Sequence, residues 1–201
     1  MASPVDSLLE RLQNPDRVNQ ISGKLGVPPE KANSAISAAI PAIVAGLAKN
    51  TEKPDGAASL SKALDQHNGT GIEDDSYFDS YDADDGDKIL GHVFGEKKPA
   101  VESQVAALGG ISGGQGEDLM KMLAPLVLGY LGKEKSAGGL DVGTLSEMLG
   151  GGSGGKGGGI ELPGGLGDIL GGLGGSAPAN GSSAKKSPSL GGMLGKLFKK
   201  K

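Results

Sequence analysis

Two stretches decide the fold. They are Leu25-Gly-Val-Pro-Pro-Glu-Lys-Ala-Asn-Ser-Ala-Ile-Ser-Ala-Ala-Ile-Pro-Ala-Ile-Val-Ala-Gly-Leu-Ala-Lys49 and Gly109-Gly-Ile-Ser-Gly-Gly-Gln-Gly-Glu-Asp-Leu-Met-Lys-Met-Leu-Ala-Pro-Leu-Val-Leu-Gly-Tyr-Leu-Gly-Lys133. A constant offset of 84 aligns Gly26 with Gly110, Val27 with Ile111, Pro41 with Pro125, Leu47 with Leu131 and Lys49 with Lys133. Outward from this pair, Leu60-Ser-Lys-Ala-Leu64 answers Leu145-Ser-Glu-Met-Leu149, and Asp6-Ser-Leu-Leu9 answers Asp87-Lys-Ile-Leu90. So many matches in one order read as an internal repeat.

Each unit reads as four helices, an all-α fold. Ser3-Pro4 starts the first, over 4–12, with proline at the first helical position. Asn14-Pro15 starts the second, and Gly26 ends it. Pro28-Pro29 opens a long third helix, in which Ala32, Ile36, Ile40, Ile43, Val44 and Leu47 mark one apolar face. A fourth covers 55–67. The second unit repeats the plan over 87–94, 99–108, 116–132 and 141–149. Proline inside a helix removes a hydrogen bond and costs about 3 kcal/mol, so Pro41 and Pro125 imply strong packing. The fold expected is a pair of duplicated four-helix units around two central proline-kinked helices, packed across a pseudo-twofold axis.

Charge and glycine divide the chain. Residues 1–150 carry 13 basic and 22 acidic side chains, net −9, and residues 151–201 carry 7 Lys and 2 acids, net +5. The second part also holds 18 of the 38 glycines. Gly151-Gly-Ser-Gly-Gly-Lys-Gly-Gly-Gly159 cannot offset the entropy of ordering its backbone. The expectation is a helical domain over 1–150 (unit one 4–67, acidic linker 68–84, unit two 85–150). A flexible Gly/Lys-rich tail with short sticky pieces follows over 151–201. The start, Met1-Ala-Ser-Pro-Val-Asp6, has no basic or apolar stretch of a secretory signal, and the apolar run Ala35–Ala48 is 14 residues, short for a membrane span. A cytoplasmic location, membrane-peripheral if the tail binds lipid, is expected.

The linker 73–87 carries eight carboxylates and no base. A calcium loop with Gly86 at position 6 would put Tyr81 first, Ala83 third and His92 twelfth, so that pattern fails. A solvated loop is expected, with Asp87 capping the next helix and Tyr77, Phe78 and Tyr81 anchoring it on the core.

Chemical motifs are sparse. Zero Cys excludes a disulfide scaffold, a thiolate zinc site and a cysteine nucleophile. Gly150–Gly157 approaches a phosphate loop but lacks Ser or Thr after Lys156, and a strand and helix around it. Residues 21–36 have a helix-turn-helix outline. Their exposed candidates (Glu30, Lys31, Asn33, Ser34 and, just beyond, Ser37) sit in an acidic domain that repels phosphate, so specific nucleic-acid binding is not expected. His92 and His67 have no nucleophile, second histidine at ligand spacing or paired carboxylate in sequence, which favours structural roles at helix edges. No enzyme activity, cofactor or metal is expected.

Gly86-Asp-Lys-Ile-Leu-Gly-His-Val-Phe-Gly95, the Ala-Leu-Gly-Gly-Ile stretch ending at 111 and Leu119-Met-Lys-Met-Leu-Ala-Pro-Leu-Val-Leu-Gly-Tyr-Leu-Gly-Lys133 resemble the bacterial domain-of-unknown-function family 937, related to YidB-like proteins. The resemblance covers about 30–150 and implies a helical bacterial domain, with no catalytic residues to carry over.

The tail repeats itself too. Leu166-Gly-Asp-Ile-Leu-Gly-Gly-Leu173 and Leu190-Gly-Gly-Met-Leu-Gly-Lys-Leu197 share Leu-Gly-x-[Ile/Met]-Leu-Gly-x-Leu at an offset of 24. In the last segment Leu190, Met193, Leu194, Leu197 and Phe198 share a helical face, and Lys196, Lys199, Lys200 and Lys201 add charge. Internal glycines keep such pieces unfolded until they bind. The expected function is a non-enzymatic protein-interaction module, with these segments docking on the domain, another copy or a partner. The alternative is weak, salt-sensitive attachment to an anionic membrane.

Overall fold

The computed structural model describes residues 4–138 apart from 54, 72 and 75, together with 162 and 165–171. All regular structure among them is helical: α1 (Pro4–Leu12), α2 (Pro15–Leu25), α3 (Pro29–Thr51), α4 (Gly56–Gln66), α5 (Tyr77–Ser80), α6 (Ala83–Phe94), a 3-10 turn at Gly95–Lys97, α7 (Lys98–Gly109), α8 (Gly113–Ser136) and α9 (Leu166–Gly171). The expected helix 141–149, the glycine run 151–159 and the terminal segment 190–201 lie outside the described residues.

Local chemistry sets most boundaries. Asn14 accepts from the Asp16 amide, and Pro15 occupies the first turn of α2. Gly26 ends α2 at φ 64°, ψ 37°, and Gly110 ends α7 at φ 63°, ψ 34°. Beyond each cap the chain closes the same way: the Val27 amide donates to Ser22 O, and the Ile111 amide to Ala106 O.

The helix 116–132 begins earlier, at Gly113, because Ser112 and Gln115 form a reciprocal capping box. The helix 87–94 also begins earlier, at Ala83. Asp82, not Asp87, is its cap, accepting from the amides of Asp84 and Asp85. Asp87 instead turns to Lys98 and Lys121.

α3 and α8 form the centre. α3 and α6 each pack on α8, and α7 packs against both α3 and α8. Each central helix buries 14 residues, and from Ala38 to Ala48 and from Met122 to Gly132 every position is buried. The single apolar face expected for α3 is therefore too narrow, since a helix apolar or small all round is surrounded on all sides. α3 is long and apolar enough to cross a membrane (mean hydropathy 1.3), but 72% of that stretch is buried by the other helices. Pro41 and Pro125 both lie inside these buried helices.

Two short helices strap the bundle. α5 rests on α2 and reaches α8: Phe78 is 1% exposed, the Arg17 guanidinium lies 5.6 Å from its ring, and the Tyr77 hydroxyl donates to Met122 O at 3.1 Å. The aromatic residues of the acidic linker thus anchor it. α9 rests on α7 and α3, with Leu166 0% and Leu170 2% exposed. The offset of 84 pairs α2 with α7 and α8 with α3, so the two straps cover matching helix pairs.

Candidate functional site

Packing of α4 against α3 and α8 leaves a groove of about 720 Å³ between α4, the end of α3 and α6. Its floor is apolar, made by Leu47, Leu60, Ile89, Val93 and Leu128. Its rim carries Lys53, Lys62, Lys88, His67 and His92, against Asp55 and Asp85. The amide of Asn50 fixes the inner corner, donating to Gly46 O at 3.1 Å and to Val93 O at 2.8 Å, so the end of α6 is tied to α3.

Both histidines of the chain face this groove. Sequence separates them by 25 positions, and the packing of α4 and of α6 onto α3 and α8 brings them to one rim. His67 Nδ1 lies 3.6 Å from Asp85 Oδ2, which makes an ion pair when the imidazole is protonated. His92 Nδ1 is 2.8 Å from Lys88 O, so that nitrogen carries the hydrogen and donates. Among the described residues no group of three or more His, Asp and Glu side chains is placed to hold a metal ion. An apolar floor under cationic groups suits binding of an amphipathic surface.

On the adjoining face, α6, α7 and α8 are joined by a charge network. Asp87 takes Lys98 and, at 3.2 Å, Lys121, while Lys121 also holds Glu117 at 2.6 Å. The hydrogen bond from Lys98 holds the Asp87 carboxyl below its ordinary range, helped by Lys121. The hydrogen bond to Glu117 pushes the Lys121 ammonium up. Glu102 is the buried member, 7% exposed, with Lys98 Nζ at 3.7 Å and Oε1 lacking a hydrogen-bond partner. Burial pushes its carboxyl up, outweighing the two lysines. Tyr77 is also pushed up, by burial and then by nearby acids, so its phenol stays neutral and donating.

The third feature is the seat of α9. Leu166 and Leu170 enter it one helical turn apart, and Leu162 and Ile169 pack at its margin. Gly109 permits the close crossing of α7 over α3 beneath this layer, since a side chain there would come within 2.8 Å of Ala35 Cα. Of the tail residues singled out in sequence, Leu190, Met193, Leu194, Lys196, Leu197, Phe198 and Lys199–Lys201 lie outside the described residues. The helix-turn-helix candidates Ser34 and Ser37 turn their hydroxyls onto their own helix, at Glu30 O and Asn33 O.

The family model described as "Bacterial protein of unknown function (DUF937)" matches residues 7–134, and the chain belongs to that family. No curated protein and no solved structure matches it.

Proposed function

We propose that this chain is a non-enzymatic helical interaction module of the cytoplasm, whose domain receives short Leu-Gly-rich helical segments. The observation that carries this reading is the seating of α9. Six residues from a glycine-rich region, too few to be a stable helix alone, bury two leucines between α3 and α7. Buried leucines contribute about 1.5–3 kcal/mol each, enough to hold a short segment and little enough to release it.

Leu166→Asp/Leu170→Asp combined with Leu190→Asp/Leu194→Asp in the full chain empties the seat, because neither Leu-Gly segment can then dock in it. A labelled peptide of residues 160–175 is expected to bind this variant and to bind the wild type at least about tenfold more weakly, because the tethered segment competes. A peptide that binds neither chain refutes the reading.

The basic amphipathic end, 189–201, supports the second reading of a membrane-peripheral protein. Co-sedimentation with anionic vesicles that disappears when 189–201 is deleted is its expected signature; unchanged co-sedimentation rejects it.

A further inference from the structure

The α9 seat reads one sequence pattern, and the chain contains that pattern twice. Position by position, the buried anchors Leu166 and Leu170 correspond to Leu190 and Leu194, and the half-buried Ile169 corresponds to Met193. Gly167 and Asp168, both exposed on α9, correspond to Gly191 and Gly192. Every position that faces the domain keeps its apolar character, and the differences fall on the solvent side. The second segment adds Lys196 and the terminal lysines, facing a domain of net −9. Eighteen residues, 172–189, separate the two. For a sequence of that length and Gly/Ser-rich composition the expected root-mean-square span is about 23 Å, enough to bring the second segment back to the seat.

We propose that residues 190–198 of the same chain compete with α9 for the seat between α3 and α7, so that one tail segment is held while the other is presented. This rests on the reading of the seat as a segment-binding surface. Tethering supplies an effective concentration on the order of millimolar, which favours the chain's own segment over a second copy. Charge attraction to the acidic domain makes the second segment the salt-sensitive competitor. Salt therefore selects which segment is exposed.

The test places a photo-cross-linking residue at Gln104, whose amide lies 3.9 Å from the position of a Cβ on Gly165 at the mouth of the seat. The full-length wild type should cross-link within the monomer to both 162–173 and 188–201. Leu166→Asp/Leu170→Asp should raise the 188–201 share about tenfold or more, Leu190→Asp/Leu194→Asp should abolish it, and high salt should lower it.

A second readout does not depend on the cross-linker. The chain has no cysteine, so dyes at Ser103→Cys and Ser189→Cys report the approach of the second segment to α7 by energy transfer. Transfer should rise when α9 is disabled and fall when 190 and 194 are. Cross-links to 162–173 alone, with transfer insensitive to 190 and 194, overturn the proposal and leave the seat intact. Absence of cross-links to either segment overturns the seat itself, and 188–201 cross-links confined to dimers assign the segment to a second copy and also overturn the proposal.

Discussion

Gly86 of α6 lies against the backbone carbonyl of Lys121 on α8, and Lys121 is the residue whose carbonyl loses its helical donor to Pro125. An added Cβ at Gly86 would stand 2.7 Å from the Lys121 carbonyl carbon and closer still to its oxygen. The proline and the glycine therefore belong to one contact. The missing amide leaves a carbonyl turned toward a neighbouring helix, and the missing side chain lets that helix approach.

Gly86→Ala should lower stability by about 1–3 kcal/mol, because the collision is with backbone, which cannot rotate away. Gly91→Ala on the same helix is the control. Gly91 is exposed with open space around it, so alanine there should stabilise by about 0.8–1 kcal/mol through helix propensity. Thermal unfolding should separate the two by several degrees, at about 2–4 °C per kcal/mol for a chain this size. Equal melting temperatures would mean that α6 does not depend on this close approach.

Phe94 is wholly buried at the end of α6, and its ring fills the space over Gly46, where an added Cβ would come within 2.5 Å of it. Phe94→Ala should cost about 3–5 kcal/mol, since the missing side chain of Gly46 leaves nothing to collapse into the void. Denaturant unfolding measures this directly.

A duplicated origin, the reading given to the offset of 84 in the sequence, predicts matched costs at matched positions. Gly26 and Gly110 both hold left-handed backbone, and neither has an atom within 4 Å of an added Cβ. Alanine at either site therefore costs only the backbone term, about 1–2 kcal/mol. Gly26→Ala and Gly110→Ala should destabilise equally, and the double variant should lose the sum, because separate caps act independently. Clearly unequal losses would count against a common origin of the two turns.

Sequence revealed the features governed by neighbours in the chain. Asn14, Pro15 and Gly26 bound α2 because capping and left-handed glycine are local chemistry. Tyr77 and Phe78 stood out as large apolar groups in an acidic loop, and they are buried. The cap of α6 was missed because four acids can each serve and only packing selects Asp82. The start of α8 was missed because Gly113-Gly114 reads as loop, although Ser112 and Gln115 had the spacing of a capping box.

The full burial of α3 was hidden by alanines and glycine, which mark no face in a hydrophobic pattern yet pack closely. The groove was illegible altogether. His67 and His92 come to one groove through the separate docking of α4 and α6 on α3 and α8, a tertiary event with no periodic signal.

Glu102 gives the pH-dependent prediction. Its carboxylate is buried, and the lysines near it, Lys98 and Lys121, are already engaged by Asp87 and Glu117. Burial first, then Glu117 and Asp87, raise its folded pKa above 4.5, against the pull of Lys98 and Lys121. The folded state then binds this proton more tightly than the unfolded state. Glu102 therefore weakens the fold at neutral pH, and stability returns as pH falls through the folded pKa toward 4.5.

Asp87 has the opposite sign. Its lowered pKa gives stability that is present above 3.8 and lost only below it, so the two groups separate along the pH axis. Glu102→Gln keeps size and shape while removing the buried charge. Its melting temperature should exceed that of the wild type at pH 7.5, with the difference shrinking toward zero as pH approaches 4.5. A variant less stable than the wild type at pH 7.5 would show that Lys98 holds Glu102 as a net favourable ion pair, and a difference that ignores pH would show that burial does not govern its titration.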